Sequence, residues 1–275
     1  SQPRVSRHLK LLCDAGLVDR FREGTWAFYR LAEHADGGTL SRTLADLISD
    51  DDPDVARDLE RLADVKAARL EAADKYFRAN ASQWDEIRSL YVPEKQVEAA
   101  LMDVFDPMEI ADYLDIGTGT GRMMELFGGR VTKGIGIDMS REMLSVARAK
   151  LDAAGLDNCQ VRLGDMYALP IPSHSIDAVT VHQVLRYADD PQSAIREAAR
   201  VLRPGGRVAV VDFAPHDIET LRGQHAHRRL GFSHDEVAGW LQSAGLNPGE
   251  AIDLEGDPLT VTIWPADAPQ PEAQD

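Results

Sequence analysis

Cysteine is almost absent. Cys13 and Cys159 are the only two in 275 residues, too few for a disulfide framework and in no spacing typical of thiolate metal sites. A reducing, cytoplasmic setting is therefore the expectation. No run of about 18 apolar residues occurs, which argues against a transmembrane helix and a membrane partner. The front of the chain shows no secretory signal pattern. Positive charge is scarce too, with 30 Lys and Arg against 46 Asp and Glu and a net charge of −16. Such a surface does not bind nucleic acid indiscriminately. Residues 1–30 are the exception: six Arg and Lys meet three Asp and Glu, a local balance of +3 that leaves −19 elsewhere. No internal repeat is present. Apolar content of 44% and charged content of 28% are those of an ordinary globular protein, long enough for one α/β domain and something smaller.

The organising stretch is Tyr113-Leu114-Asp115-Ile116-Gly117-Thr118-Gly119-Thr120-Gly121, followed by Arg122-Met123-Met124-Glu125-Leu126-Phe127. It reads as strand, tight glycine loop and helix, the opening of a βαβ unit that brings backbone close to a ligand. A dinucleotide fingerprint would put its third glycine at position 122, which is Arg; here the spacing is D-x-G-x-G-x-G. A second strand, Val131 to Ile137, ends at Asp138, 17 residues after Gly121. An acid at that tip can accept hydrogen bonds from two ribose hydroxyls. Cys159 to Leu163 reads as a third strand that exits through Gly164-Asp165-Met166. Ser175 to His182 reads as a fourth strand that runs into Gln183-Val184-Leu185. After a helix from Pro191 to Leu202, Arg203-Pro204-Gly205-Gly206-Arg207 turns into a fifth strand, Val208 to Asp212. Ser233 and Glu236 have capping-box spacing. Residues 251–254 and 259–264 read as a closing antiparallel pair.

These motifs, in this order, resemble the class I S-adenosylmethionine-dependent methyltransferases of the type 11 group over roughly residues 110–265. The resemblance implies an α/β, Rossmann-like, seven-stranded sheet and a site for S-adenosylmethionine and S-adenosylhomocysteine. It implies that Gly117, Gly119 and Gly121 admit the methionine moiety and that Asp115 faces its ammonium. Asp138 would hold the ribose, with Met139 beside it. Asp165 would accept the adenine amino group, Met166 would offer a backbone amide, Gln183-Val184-Leu185 would lie beneath the sulfonium, and His182 would be among the cofactor-binding residues. The implied activity is methyl transfer to an unidentified small-molecule acceptor. A general base is needed only if that acceptor must lose a proton. Among His182, Tyr187, Asp212, His216, His225 and His227, the foremost catalytic candidates are His182, Tyr187 and His216. His182 could equally make a backbone contact, and Asp212 could cap its strand. His216, His225 and His227 are metal-ligand types, but a pair two residues apart on a helix faces different sides. No metal is expected; between the two functional readings, a wall facing the substrate is favoured over a metal site.

The front of the chain carries a second resemblance. Ser1-Gln2-Pro3-Arg4-Val5-Ser6-Arg7-His8-Leu9-Lys10-Leu11-Leu12 has helix-start signals and an apolar face at 5, 9 and 12, and Ala15-Gly16-Leu17-Val18 ends it with a glycine stop. Phe21 to Leu31 alternates around a Glu-Gly turn. This resembles the second half of an ArsR-type winged helix-turn-helix over residues 1–31. The resemblance implies DNA contacts from Gln2, Arg4, Ser6, Arg7 and Arg22, and DNA as a partner of the full-length form. The helices that should precede the recognition helix are missing, so the expectation is a truncated motif. Residues 32–109 are expected to be a helical linker, dimerisation and lid region. In it Asp52-Pro53 starts a long helix with the stripe Val55, Leu59, Leu62, Leu70, Ala73 and Phe77, read as a homodimer seam. Trp84 to Arg88 and Tyr91 are read as a lid or as core. The methyltransferase region is placed at 110–265 and a disordered tail at 266–275. A regulator that senses the cofactor without turnover is the alternative to an enzyme.

Overall fold

A parallel sheet with an antiparallel edge forms the centre of the larger of two units. The computed structural model describes residues 2–23, 26–32, 38–47, 53–81, 93–106 and 108–270. They divide into Ser1–Glu71 and Ala72–Asp275.

In the first unit, α1 (Gln2–Asp14) stops where Gly16 takes φ +67° and the Leu17 N–H reaches back to the Leu12 carbonyl at 3.0 Å, the left-handed stop that glycine permits. β1 (Val18–Glu23) and β2 (Trp26–Leu31) pair antiparallel, with Phe21 opposite Phe28. α2 (Gly38–Asp46) follows, and its Ser41 hydroxyl donates to the Leu17 carbonyl at 2.8 Å. α3 (Pro53–Asn80) starts at the expected Pro53, and the division between the units falls within it. The turn at 24–25, the acids at 50–52, the lid candidates Trp84 to Arg88 and Tyr91, and the side chains of Gln2, Arg22, Leu70 and Ala73 lie outside the described residues.

The second unit runs α4 (Glu94–Phe105), β3 (Asp112–Ile116), α5 (Arg122–Gly128), β4 (Lys133–Asp138), α6 (Arg141–Ala154), β5 (Cys159–Leu163), β6 (Ile176–His182), a 3-10 turn (Leu185–Tyr187), α7 (Pro191–Val201), β7 (Leu202–Phe213), α8 (Thr220–Gln224), α9 (His234–Ser243), β8 (Asn247–Pro248), β9 (Ile252–Leu254) and β10 (Val261–Asp267). Spatial order is β5-β4-β3-β6-β7-β10-β8, with β9 also on β10. β8 pairs with Ala266 and Asp267, and β9 pairs with Val261 to Ile263. The eight strands thus fill seven places, the edge place being one strand interrupted around Gly249. β10 also runs further than the sequence reading allowed. Ala266 and Ala268 are buried, and the Ala268 N–H donates to the Gly206 carbonyl at 2.8 Å. The tail expected from 266 therefore begins inside the sheet, because the β7 ladder goes on offering partners to small residues.

Alternation along the strands sorts the core into two layers. Leu114, Ile116, Ile137, Val179, Val181, Val208 and Val210 pack with Ile195 of α7 and with Trp240 and Leu241 of α9. Tyr113, Val161, Ala178, Ala209, Val211 and Ile263 pack with Leu101 and Phe105 of α4, Met123 and Phe127 of α5, and Leu144 of α6. Ser140 caps α6 by accepting from the Met143 N–H at 3.2 Å, and Ser233 caps α9 by accepting from the Glu236 N–H at 3.2 Å, where the capping-box spacing placed it.

Candidate active site

The strand order reverses between β3 and β6, and ligands of open α/β sheets bind outside the carboxyl ends at such a point. The glycine loop lies there. Gly117, Gly119 and Gly121 all take positive φ, at +71°, +53° and +83°, a region that side chains bearing Cβ rarely enter. Space adds a second constraint at Gly117, where a Cβ would lie 2.5 Å from Cγ2 of Val184. The loop is tied to the next strand by the Gly117 and Thr118 N–H groups, which donate to the Ile137 carbonyl at 2.8 and 3.0 Å. The Thr118 hydroxyl is buried with no hydrogen-bond partner.

Asp138 ends β4 half-buried. One carboxylate oxygen accepts from the Gly119 N–H at 2.8 Å and the other from the Ser140 N–H at 2.8 Å. Burial pushes its pKa up, and the backbone N–H donors partly offset that. A carboxylate has about four lone-pair sites, so both oxygens keep capacity for further donors. Asp115 is buried on β3 and accepts from the Thr180 hydroxyl at 2.6 Å, directly across the β3–β6 register. Asp165 is exposed, its side chain accepting from the Tyr167 N–H at 2.9 Å. Met166 is half-buried against the core and Met139 is exposed. The structure therefore gathers Asp115, the three glycines and Asp138 around one loop, and sets Asp165 and Met166 on the exit of β5, two strands away.

The remaining candidates lie at the carboxyl ends of β6 and β7. His182 and Tyr187 are buried. Asp212 is fully buried and serves as a counterion rather than a free base: it accepts from Arg186 Nη1 at 3.0 Å, from the Arg186 backbone N–H at 3.1 Å and from the Phe213 N–H at 2.9 Å. Arg186 Nη2 donates to Gln183 Oε1 at 3.1 Å. The sequence reading missed this buried arginine, whose only signal was a charge in an apolar run, Val184-Leu185-Arg186-Tyr187.

His225 and His227 are not on a helix, since α8 ends at Gln224 and Ala226 takes φ +55°. Their rings lie 6.1 Å apart. Burial, reinforced by Arg186, pushes the His227 imidazole down to about 2, too weak a base for proton abstraction near neutrality. His216 is also pushed down, chiefly by burial. Its Nδ1 accepts from the Ile218 N–H at 3.2 Å, so in the neutral ring Nε2 carries the proton. His216 is thus an N–H donor in this arrangement, not a base. No group of three or more His, Cys, Asp and Glu suited to a metal exists among the described residues, nor does any helix there long and apolar enough to cross a membrane.

With this geometry in view, residues 114–210 match the family described as a methyltransferase domain. Over this segment the chain is similar to a methyltransferase domain. The chain is 37% identical over 105 residues to the uncharacterized methyltransferase YcgJ of Bacillus subtilis, an alignment that covers 38% of this chain and 42% of that one. The chain thus spans less than half of that curated relative. The crystal structure of YcgJ superposes with a TM-score of 0.56 at 20% identity, covering 64% of this chain and 100% of that one. A geranyl diphosphate methyltransferase in complex with S-adenosylmethionine superposes with a TM-score of 0.57 at 18% identity, covering 62% and 84%. The fold is shared with both structures, and the geranyl diphosphate methyltransferase holds S-adenosylmethionine in it.

Proposed function

We propose that the chain binds S-adenosylmethionine and transfers its methyl group to a small-molecule acceptor. The observation that carries this is the Asp138 carboxylate, held by the Gly119 and Ser140 N–H groups beside the left-handed glycine loop of the methyltransferase domain. In this reading Asp138 accepts the ribose hydroxyls, with Met139 beside it. Asp165 and the Met166 backbone take the adenine edge. Gly117, Gly119 and Gly121 leave room for the methionine moiety, and Asp115, braced by Thr180, takes its ammonium. When bound, the sulfonium supplies an electrophilic methyl, and the chain's own contribution is to align the acceptor for in-line attack. His182 and Tyr187 stay as the groups that could orient or deprotonate it.

Calorimetric titration of the full chain with S-adenosylmethionine, S-adenosylhomocysteine and NAD tests the reading. Binding of the first two in the micromolar range without NAD binding is the expected result; preference for NAD refutes it.

A second reading is favoured by the first unit, where α1 leads through a glycine stop into the β1–β2 hairpin and Arg4, Ser6 and Arg7 are exposed. That arrangement supports an ArsR-type DNA-reading module, with Gln2 and Arg22 as further contacts. The methyltransferase fold would then report cofactor levels to DNA binding. Retained cofactor affinity without methyl transfer to any component of a metabolite extract would favour this reading.

A further inference from the structure

The groups around Phe213 are not needed by anything assigned to the cofactor. Three polar atoms there, Arg186 Nε, His216 Nε2 and His227 Nδ1, are buried without a hydrogen-bond partner. They come from three separate segments: the turn after β6, the exit of β7 and the loop after α8. All three side chains meet the Phe213 ring. The guanidinium carbon of Arg186 lies 4.6 Å from its centroid, the His216 ring 5.9 Å and the His227 ring 6.0 Å. Native structures leave few buried polar atoms unpaired, and three in one cluster beside a ligand crevice point to a ligand.

The chemistry of the atoms says which kind. A guanidinium only donates, and His216 donates through Nε2 because Nδ1 is taken by the Ile218 N–H. Arg186, Arg222 and the two other imidazoles all oppose a proton on His227. Asp212 and Asp217 do act on His216, but Asp212 is occupied by Arg186 and the Phe213 N–H. Asp212 being taken, what the three orphaned atoms lack is a partner that accepts from them.

We propose that Arg186, His216 and His227 form the subsite for an anionic group, a carboxylate or a phosphate, carried by the methyl acceptor. The proposal rests on the methyltransferase reading above. Asp212 and Gln183 hold the far end of the guanidinium, so Arg186 presents Nε–H in a fixed direction, and the two imidazoles close on the same anion. The anion in turn favours a proton on His227 Nδ1, while the neutral His216 already donates through Nε2.

The test uses the full chain saturated with S-adenosylhomocysteine and titrated separately with inorganic phosphate and with malonate, followed by histidine carbon-13 NMR and calorimetry. One of the two probes is expected to shift the His216 and His227 resonances; which one responds separates phosphate from carboxylate. His216→Phe and His227→Phe keep a ring at each position, and either is expected to weaken that probe about tenfold, the loss of one charge-assisted hydrogen bond. Homocysteine-nucleoside affinity should stay within twofold. If neither probe binds while S-adenosylhomocysteine does, or if both variants bind the probe as the parent does, the subsite is overturned and the methyltransferase reading stands. If S-adenosylhomocysteine itself fails to bind, that reading falls and the subsite falls with it.

Discussion

Thr180 donates its hydroxyl to Asp115 at 2.6 Å, and the same oxygen lies 2.6 Å from the Tyr113 hydroxyl. Because Thr180 spends its proton on the carboxylate, Tyr113 must be the donor in the second bond. All three residues are buried, and burial, with the nearby Asp115 charge, holds the Tyr113 phenol protonated well above its ordinary range. Thr180→Val keeps the shape, removes a donor from Asp115 and leaves Tyr113 without its acceptor. It is expected to cost about 1–3 kcal/mol of stability. Thr180→Ser should recover most of that loss. Urea denaturation of the three proteins checks it, and an unchanged midpoint in the valine variant refutes the arrangement.

Asp138 ties the loop to β4 and, in the proposed function, holds the ribose. Asp138→Ala removes two hydrogen bonds from the ribose to a charged group, each worth about 1.5–3 kcal/mol, so S-adenosylhomocysteine should bind at least about a hundredfold more weakly. Calorimetry showing affinity within tenfold of the parent would sink the ribose assignment.

His227 makes stability depend on pH. Its folded pKa is depressed to about 2 from an unfolded value of about 6.5, so below that unfolded value the unfolded chain binds a proton the folded chain refuses. Its stabilising neutrality is fully present above about pH 6.5 and is lost as pH falls, at up to about 1.4 kcal/mol per pH unit. Arg186, Arg222, His216 and His225 surround it and all act in the same direction. His227→Phe should therefore flatten the decline between pH 6.5 and 5, read as the difference in urea midpoints between the two proteins. Parallel declines would count against a buried, neutral His227.

Leu59 and Leu62 are 54% and 49% exposed on α3, on a stripe the sequence reading assigned to a homodimer seam. The unmodified protein is expected to be a dimer by light scattering. Changing both residues to Glu would bury charge in such a seam and should yield monomers. A monomeric parent protein would dispose of the seam.

The parts of the site that were legible in the sequence are local or strand-terminal. Glycine spacing in 117–121 announces the left-handed loop, and Asp138 follows at a strand end set by a short apolar run. Capping signals at Ser233 were legible for the same reason, since donor and acceptor are three residues apart. The pairing of Arg186 with Asp212 was not, because it joins positions 26 residues apart on the ends of neighbouring strands and neither has a periodic signature. Asn247-Pro248 carries no strand pattern at all; the ladder of β10 alone makes it β8. The histidine group was read on an assumed helix, and the left-handed Ala226 between His225 and His227, a conformation alanine seldom takes, is what placed the rings elsewhere.

Gly117 is held twice over, by φ +71° and by Val184 standing 2.5 Å from where a Cβ would go. Relaxing one constraint leaves the other, so shrinking Val184 would not free the position to accept a side chain. In a lineage that had stopped transferring methyl groups, the loop would still be purged of substitutions merely to keep β3 and β6 packed. Persistence of the glycine signature among descendants therefore dates the architecture and says nothing of turnover. Drift after such a loss would register first at positions without a packing duty, such as the exposed carboxylate of Asp165.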